Sequence, residues 1–285
     1  MRFMSQTNFA VLVHACDRYR LLYQGFEYFF NKHWDFSTEC KYYFATEEAD
    51  VNVKGFENIK SGKGEWSDRL IVLLQEKVKE KYIIYLQEDV WFTENISAEF
   101  FNALFRFIEE NQYKQVKLHS ADIYKTIGTP DFIEGFNIAR VDNAASRYLM
   151  SHQVTIWDKE FLLSNLKPNE NPWRNENRGT KRMKKSNPEI YHVDYFAQDH
   201  SPAINSNMPE VVRSNFHTVS LNGMLNGHFL VFADKLPRDT EENTAYAEKL
   251  VHHYQNQLTH DGRERPRKDD IFKRTKKWFL KTFGG

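Results

Sequence analysis

Residues 82–95 read Tyr-Ile-Ile-Tyr-Leu-Gln-Glu-Asp-Val-Trp-Phe-Thr-Glu-Asn. Five apolar residues, mostly β-branched or aromatic, lead into two adjacent carboxylates, Glu88 and Asp89. An apolar run of this length is typical of a strand that is buried on both faces. In an open α/β sheet, ligands bind outside the carboxyl ends of the strands, where acidic residues are well placed to hold a hard cation. The stretch predicts a buried strand with a binding edge, although strand ends are often acidic without any function.

Regions on either side of this stretch alternate between strand and helix patterns. The predicted strands span residues 9–14, 41–45, 82–86 and 115–119. Three helices are predicted: one spans residues 18–31, and the other two begin at Ser67 and Ser97. This alternation is typical of a mostly parallel sheet that helices cover on both faces. We therefore predict an α/β fold.

The second half of the chain follows a less regular pattern. Its predicted elements are strands at 152–157, 211–216 and 228–233 and helices at 158–166 and 239–258. Residues 167–189 are polar and contain three prolines, a glycine and several asparagines, which predicts a long loop. Loops of this length in compact domains are usually functional or disordered.

Composition and cysteine content exclude several classes of protein. The 285 residues include 41 % hydrophobic and 15 % aromatic side chains, enough for a sizeable core, and the net charge is zero. The two cysteines, Cys16 and Cys40, do not make a disulfide framework or a zinc cluster. The sequence start lacks the long apolar segment of a signal peptide, and no stretch reaches the roughly 18–20 apolar residues of a membrane span. A cytoplasmic location is the expectation.

Basic residues are concentrated near the end of the chain. Residues 263–285 contain nine Lys and Arg against three Asp and Glu, so the preceding residues carry the compensating negative charge. Within residues 269–283, apolar side chains share one helical face and basic side chains the other. This pattern predicts an amphipathic helical tail that binds the anionic inner face of a membrane. Docking onto the protein body and nucleic-acid binding are rival interpretations, but the acidic body and the lack of a known nucleic-acid module argue against nucleic acid.

Polar side chains follow each of the first three predicted strands. These residues are Asp17 and Arg18, Thr46 and Glu47, and Glu88 and Asp89. A doubly wound sheet brings such strand ends to one edge. The segment Trp66-Ser67-Asp68-Arg69 opens a predicted helix whose free N–H groups favour an anion site there, although a helix cap with a surface ion pair would use the same residues. Neither of the common glycine-rich phosphate loops occurs in the sequence.

These motifs together indicate a family. A short apolar strand followed by Asp-Arg, then Trp-Ser-Asp-Arg at a helix start, then Tyr-Ile-Ile-Tyr-Leu-Gln-Glu-Asp resembles the GT-A-fold glycosyltransferases over residues 8–200. These enzymes transfer a sugar from a nucleotide sugar, often with a divalent metal at an Asp-x-Asp motif. The resemblance implies a GT-A-like (Rossmann-like) catalytic domain over 1–238, with a nucleotide-binding half over about 1–120 and an acceptor half over about 121–238. Residues 239–285 would form a helical C-terminal extension.

The resemblance also implies a donor site. Its residues would be Asp17, Arg18, Thr46, Glu47, Trp66, Ser67, Asp68, Arg69 and Glu88. Asp89 would bind Mn²⁺ or Mg²⁺ or the diphosphate itself, and His217 would be a second metal ligand or a phosphate contact. A lone histidine is more often structural, and Gln87 replaces the first acid of the metal motif. Because an amide is a weaker ligand than a carboxylate for a hard cation, metal dependence is left open.

A general base is expected on the acceptor side. In inverting members of the family a carboxylate removes the proton of the acceptor hydroxyl. Glu176, in Asn-Pro-Trp-Arg-Asn-Glu, is the predicted base, with Trp173 available to stack on a sugar and Arg178 near the acceptor. Rival carboxylates that the sequence leaves open are Glu170, Asp194 and Asp199.

The implied function is transfer of a sugar from a nucleoside-diphosphate sugar to a cell-surface glycan or a lipid-linked acceptor, as in polysaccharide biosynthesis. Asp89 and Glu176 would be its catalytic residues. The alternative is a catalytically inactive sugar-nucleotide- or glycan-binding protein on the same fold, for which Gln87 is the indication.

Overall fold

The computed structural model describes residues 7–264. The strands are β1 Phe9–His14, β2 Lys41–Thr46, β3 Glu57–Lys60, β4 Tyr82–Leu86, β5 Val90–Phe92, β6 Gln115–His119, β7 Thr126–Ile127, β8 Phe132–Ile133, β9 Phe136–Val141, β10 Thr155–Asp158, β11 Tyr191–Gln198, β12 Ser214–Thr218, β13 Ser220–Leu221 and β14 Met224–Leu225. The helices are α1 Tyr23–His33, α2 Trp66–Val72, α3 Ala98–Asn111, α4 Lys159–Asn165, α5 Pro172–Ser186, α6 Leu230–Ala233 and α7 Glu241–Gln255. Short 3₁₀ turns at Asp17–Leu22 and Gly227–Phe229 precede α1 and α6, and a π-helical turn, Leu73–Lys77, extends α2.

One large sheet organises the fold. Its main path runs β3-β2-β1-β4-β10-β6-β11-β12-β5, and β9 pairs with β11 and carries β7 and β8. Within residues 7–264, the pairings along this path are parallel except at β10, which is antiparallel to both neighbours, and at β5. The predicted α/β class, a mostly parallel sheet flanked by helices, is confirmed. The strands predicted at 9–14, 41–45, 82–86 and 115–119 are β1, β2, β4 and β6.

Two apolar layers cover the sheet. Alternate residues of β1 belong to different layers: Val11 and Val13 face α1, α3 and α7, whereas Ala10 and Leu12 face α2, α4 and α5. Every residue of β1 and β4 is buried. The continuous apolar runs in the sequence thus reflect burial on both sides of the sheet.

Two expectations about the second half were wrong, and two predicted strands are present with shifted bounds. Residues 167–189 do not form a loop throughout, because 172–186 are helix α5. Residues 228–233 are helical instead of a strand, since Asn226 caps the turn through the N–H of His228 (2.8 Å). The strand predicted at 211–216 lies at 214–218, and the one predicted at 152–157 begins at Thr155.

The predicted helix at 239–258 is present as α7. The amphipathic tail predicted for 269–283 lies outside the described residues. No helix within residues 7–264 combines the length and the apolar character that crossing a membrane requires. The division of the chain at residue 238 stays a proposal.

Candidate active site

The carboxyl ends of β1, β2 and β4 converge. The Cys16 N–H donates to Glu88 Oε1 (3.2 Å), and the Asp17 N–H donates to Glu47 Oε2 (3.0 Å). Arg69 reaches the same place from α2, where its Nη1 donates to the Ala15 carbonyl (2.9 Å). We call the edge formed by Cys16, Asp17, Glu47, Arg69, Glu88 and Asp89 the polar rim. The sequence-based expectation that these strand ends meet agrees with these contacts.

Within the rim, Asp17 holds the turn that follows β2. Its carboxylate accepts hydrogen bonds from the backbone N–H groups of Glu47, Glu48 and Ala49 (2.9–3.0 Å). The Thr46 hydroxyl closes the same turn by donating to the Ala49 carbonyl (2.7 Å). Both side chains therefore shape the edge of the rim, and their contact with a nucleotide stays a prediction.

Glu88 and Asp89 put two adjacent carboxylates at the end of β4. Glu88 is buried, and burial followed by repulsion from Asp89 raises its pKa to about 8. Asp89 is half-buried, and burial raises its pKa to about 7. Among the described residues, no side chain donates a hydrogen bond to the Asp89 carboxylate. Carboxylate oxygens are the ligands that Mn²⁺ and Mg²⁺ prefer, and the charge of such an ion would offset the cost of ionising both groups, but metal binding by Asp89 stays a prediction.

Arg69 is the buried cation of the rim. Its side chain is 7 % exposed, and its Nε lies 3.7 Å from Glu47 Oε1. Because the surrounding carboxylates outnumber it, the rim keeps an excess of negative charge. Arg18 points away from this centre and pairs with Asp261 (3.5 Å). It lines an open groove of about 820 Å³ between the first 3₁₀ turn and α7.

The start of α2 is engaged with a distant segment of the chain. The Ser67 N–H donates to the Glu170 carbonyl (3.1 Å), and Ser67 Oγ accepts from the Glu170 N–H (2.9 Å). Asp68 accepts from the Asn169 N–H (3.1 Å). These groups anchor the segment before α5, and their contact with a nucleotide sugar stays a prediction. No sequence pattern indicated this partner, which lies about a hundred residues further along the chain.

A line of buried polar side chains leads from the rim into the protein. The rings of His14 and Trp66 lie 5.7 Å apart, and those of Trp66 and His152 lie 4.2 Å apart. The His152 N–H donates to Glu176 Oε1 (3.3 Å). We call His14, Trp66, His152 and Glu176 the polar corridor. Trp66, predicted to contact the donor directly, is buried inside it.

Both histidines of the corridor are neutral imidazoles. Burial, with Arg69 and His152 nearby, holds the pKa of His14 well below its usual range. Burial and the Lys117 ammonium lower the pKa of His152 to about 3. The corridor is therefore polar without carrying positive charge of its own.

Glu176 lies at the far end of the corridor, on α5. Burial raises its pKa, whereas the hydrogen bond from His152 and the charge of Lys117 oppose that rise. Trp173, one turn earlier, is 62 % exposed, and Arg178 is also exposed. Glu176 thus links a buried polar interior with a solvent-accessible helix start.

Two rival carboxylates are already paired. Glu170 accepts from Arg182 Nη2 (2.8 Å) and from Asn175 Nδ2 (2.7 Å); burial raises its pKa, but these contacts outweigh that effect and lower it. Asp194 is buried and binds Arg213 Nη2 (2.6 Å) and the Ile204 N–H (2.7 Å). The oxygens of Glu170 and Asp194 hold structure together, whereas Glu176 accepts a hydrogen bond from the His152 N–H.

His217, a predicted metal ligand, has both ring nitrogens occupied. The His200 N–H donates to Asn215 Oδ1 (2.9 Å), which orients the amide so that Asn215 Nδ2 donates to His217 Nε2 (3.1 Å). His217 Nδ1 therefore carries the proton and donates to Asp199 Oδ1 (2.7 Å). Asp199, His217 and His228 each bring one potential ligand atom to within 4.8 Å of the others. Asp89 is not in that group of described residues. Metal binding by His217 would therefore require one ring nitrogen to give up its hydrogen bond.

No protein-family model and no curated protein sequence matches the chain. Among solved structures, the chain is similar to S. aureus TarS, with 13 % identity and a TM-score of 0.45 over 88 % of this chain and 43 % of that one. The chain thus spans less than half of the TarS chain that it matches there.

Two further similar structures contain bound nucleotide sugars. Residues 1–349 of S. aureus TarS, in complex with UDP-GlcNAc, match with 13 % identity and a TM-score of 0.45 over 88 % of this chain and 72 % of that one. A UDP-glucose pyrophosphorylase complexed with UDP-glucose matches with 10 % identity and a TM-score of 0.40, over 66 % of this chain and 90 % of that one.

Proposed function

We propose that this protein is a glycosyltransferase that uses a nucleoside-diphosphate sugar as donor. One observation carries the proposal: the polar rim lies at the carboxyl ends of parallel strands, and the polar corridor connects it to Glu176. Sugar transfer from a diphosphate needs positive charge for the leaving group and a base for the acceptor. The acidic edge suited to a cation and the buried arginine provide the first, and the separate carboxylate provides the second.

The proposed reaction is a displacement at the anomeric carbon. The acceptor oxygen attacks that carbon while the bond to the diphosphate breaks, and the acceptor proton passes to the Glu176 carboxylate. Glu88 and Asp89 would hold a divalent cation, which supplies positive charge for the departing diphosphate. Arg69 adds a fixed guanidinium at the same edge. Attack from the face opposite the leaving group inverts the configuration of the sugar.

The acceptor side is proposed to lie at the start of α5. Trp173 exposes an indole face suited to stacking on a sugar ring, and Arg178 offers a guanidinium one turn further along the helix. A glycan or a lipid-linked acceptor fits these groups. We also propose that residues 269–283 bind an anionic membrane surface. The protein would then lie on the inner face of the membrane.

Donor hydrolysis tests the proposal directly. The full chain is incubated with a panel of nucleotide sugars, UDP-GlcNAc and UDP-glucose included, with Mn²⁺ or with a chelator, and release of nucleotide is measured. We expect turnover that Asp89→Ala abolishes and that Glu176→Gln lowers by at least about a hundredfold when an acceptor is present. Glu160→Gln, an exposed glutamate on α4, is the control. Full activity of Asp89→Ala would contradict the role assigned to this residue.

A donor-binding protein without turnover is the second candidate, and Gln87 in place of an acid favours it. Calorimetry with the same donors separates the two. Binding that never leads to hydrolysis or transfer with any acceptor would select the second candidate.

A further inference from the structure

Lys117 is a buried amine that the proposed mechanism does not use. It lies in the middle of β6 and is 0 % exposed. Its Nζ has no hydrogen-bond partner among the described residues and lies 4.4 Å from the centroid of the Tyr124 ring. An ammonium group in such a place loses its hydration, and lysine is almost never fully buried unless an anion pairs with it.

The register of the sheet places Lys117 on the face that α5 covers. Lys117 pairs with Thr155 on β10, which pairs in turn with Tyr85 on β4. Paired residues share a face of the sheet, and neighbouring strands lie about 4.8 Å apart. Tyr85 belongs to the same apolar layer as Met183 of α5. The amine therefore lies on the α5 side of the sheet, two strands away from Tyr85.

Helix α5 packs against the start of β10 through polar groups. Thr180 Oγ1 accepts from the Met150 N–H (3.1 Å), and Glu176 Oε1 accepts from the His152 N–H (3.3 Å). Residues 150 and 152 lie just before β10, so α5 covers the strand that pairs with β6. The His152 ring lies 5.9 Å from the Tyr85 ring, so the polar corridor borders the same interior.

Several buried polar atoms in this interior have no hydrogen-bond partner among the described residues. They are Lys117 Nζ, Thr155 Oγ1, His119 Nδ1, His152 Nε2 and Asn175 Oδ1, on side chains that are at most 6 % exposed. Buried polar groups are nearly always hydrogen-bonded, because leaving one bare is costly. A ligand with several oxygen atoms would satisfy the donors and acceptors of this interior together.

The described residues supply no anion that pairs with Lys117. Burial lowers its pKa to about 7, and Glu176 opposes this effect. However, no ion pair joins Lys117 to Glu176, whose Oε1 accepts from the His152 N–H. His119 and His152 are neutral, because burial, followed by the charge of Lys117, lowers the pKa of each to about 3. The amine therefore indicates an anionic group that comes with a ligand.

We propose that the donor sugar carries a carboxylate, as a hexuronic acid does, and that Lys117 binds this carboxylate. This inference rests on the proposed function and names the class of its donor. The proposed mechanism has the diphosphate at the polar rim and the base at Glu176, so the sugar ring must lie between them, beside the polar corridor. Lys117 borders that space, and one ammonium group matches the single charge of one carboxylate.

The hydroxyl groups of the sugar would meet the remaining polar atoms of this interior, on Thr155, His152 and Asn175. The two ends of the corridor reach the surface at the half-buried Asp89 and at the exposed Trp173. Because Lys117 itself is covered, binding must part α5 from the sheet. Lys117 is then a specificity-determining residue, and its uncompensated burial is the cost of recognising an acidic sugar.

Two pairs of donors test the inference, because the members of each pair differ only at C6 of the sugar. UDP-glucuronic acid is compared with UDP-glucose, and GDP-mannuronic acid with GDP-mannose, by calorimetry on the full chain with Mn²⁺. We expect the acidic member of one pair to bind about ten- to a hundredfold more tightly than its neutral counterpart, since hydrogen bonds between charged groups are the strong ones.

Lys117→Met should abolish this preference by lowering the affinity for the acidic donor, while the neutral donor keeps its affinity. Lys114→Met is the matched control, because it removes the same charge from an exposed position just before β6. It should retain the full preference. Circular dichroism shows whether both variants are folded, and the comparison of donors on the wild type needs no variant.

Equal affinity of the wild type for the acidic and neutral donors would overturn the inference, and turnover of the neutral donor would then leave the proposed function standing. A preference that survives in Lys117→Met would overturn the role of Lys117. A chain that binds none of the four donors would contradict the inference and the proposed function together.

Discussion

Glu88 and Asp89 make folding depend on pH. Their pKa values in the folded chain, about 8 and about 7, lie above the ordinary range near 4. Between about pH 4 and pH 8 the native state binds more protons than the unfolded state. The contribution of the two carboxyl groups to stability is therefore largest below about pH 4 and falls as the pH rises through 8. We expect Glu88→Gln to raise the Tm by about 5 °C at pH 8.5 and to change it little at pH 5.

Thermal unfolding followed by circular dichroism checks this expectation. Glu160→Gln should give the same Tm as the wild type at both pH values. Added Mn²⁺ should stabilise the wild type more at pH 8.5 than at pH 5, because the carboxylates must lose their protons to bind it. A Glu88→Gln variant that is less stable than the wild type at pH 8.5 would contradict the assigned cause.

Lys117 gives the opposite pH dependence. Burial lowers its pKa to about 7, whereas the unfolded chain keeps the ordinary value near 10.4. The unfolded state binds more protons between these values, so the penalty for burying this residue is full below pH 7 and disappears as the pH approaches 10.4. We expect Lys117→Met to be more stable than the wild type by about 1–4 kcal/mol at pH 6, with the difference shrinking toward pH 10.

Urea unfolding at the two pH values measures that difference. Thr155→Val, which lies beside Lys117 but never carries charge, should show no such change between pH 6 and pH 10. Equal stability of Lys117→Met and the wild type at pH 6 would mean that the amine is better solvated than its surroundings indicate.

The sequence carried more information about some residues than about others. Glu88, Asp89 and Asp17 follow apolar strands, and strand ends of a parallel sheet share an edge, so their convergence was predictable. The anchoring of Ser67 by Glu170 was not, because it depends on where a distant segment folds. Lys117 was overlooked because the sequence Gln-Val-Lys-Leu-His of β6 alternates between polar and apolar residues, which is the pattern of a strand with one face in solvent.

At the scale of elements, α5 depends on a buried ion pair. Glu170 is buried, and Arg182 binds both of its carboxylate oxygens, at 3.0 and 2.8 Å. Removing the arginine leaves an unpaired buried charge, so Arg182→Met should lower the free energy of unfolding by about 3–5 kcal/mol. Arg178→Met is the control on the same helix, because Arg178 is exposed and 3.9 Å from Glu170; it should cost less than about 1 kcal/mol.

Urea denaturation measures both variants of α5. If Arg178→Met loses as much stability as Arg182→Met, both arginines stabilise the buried Glu170 carboxylate. Transfer activity per folded molecule should survive in Arg182→Met, since Glu170 is assigned a structural role and Glu176 the chemistry.

Helix α5 escaped prediction because its buried face is polar. Its buried residues are Asn175, Gly179, Thr180 and Met183, spaced as in a helix but with only one large apolar side chain. The real signal was at its start, where Asn171 accepts from the Arg174 N–H (2.9 Å) and Pro172 occupies the first turn. Residues 228–233 were predicted as a strand because they are largely apolar. The spacing of Phe229 and Phe232, three residues apart, suits a helix.

At the scale of the whole molecule, a tyrosine hydroxyl on α7 binds backbone groups at the start of α1. Tyr246 Oη accepts from the Gly25 N–H (2.8 Å) and donates to the Leu21 carbonyl (2.9 Å). Tyr246→Phe leaves both backbone groups without this partner and should cost about 1–3 kcal/mol. Thermal unfolding is the measurement, and Tyr254→Phe, whose hydroxyl makes no hydrogen bond with the described residues, should leave the Tm unchanged.

The antiparallel strand β10 separates β4 from β6, although both precede it in the chain. Until residues 155–158 emerge, a nascent chain on the ribosome therefore carries the sheet β3-β2-β1-β4 with an open edge at β4, and β6, which pairs with β10 and β11, has neither partner. Unpaired edges of this kind invite pairing with other chains, and such long-range closure is slow. The protein should accordingly depend on chaperones during synthesis, and fragments that stop before Thr155 should aggregate.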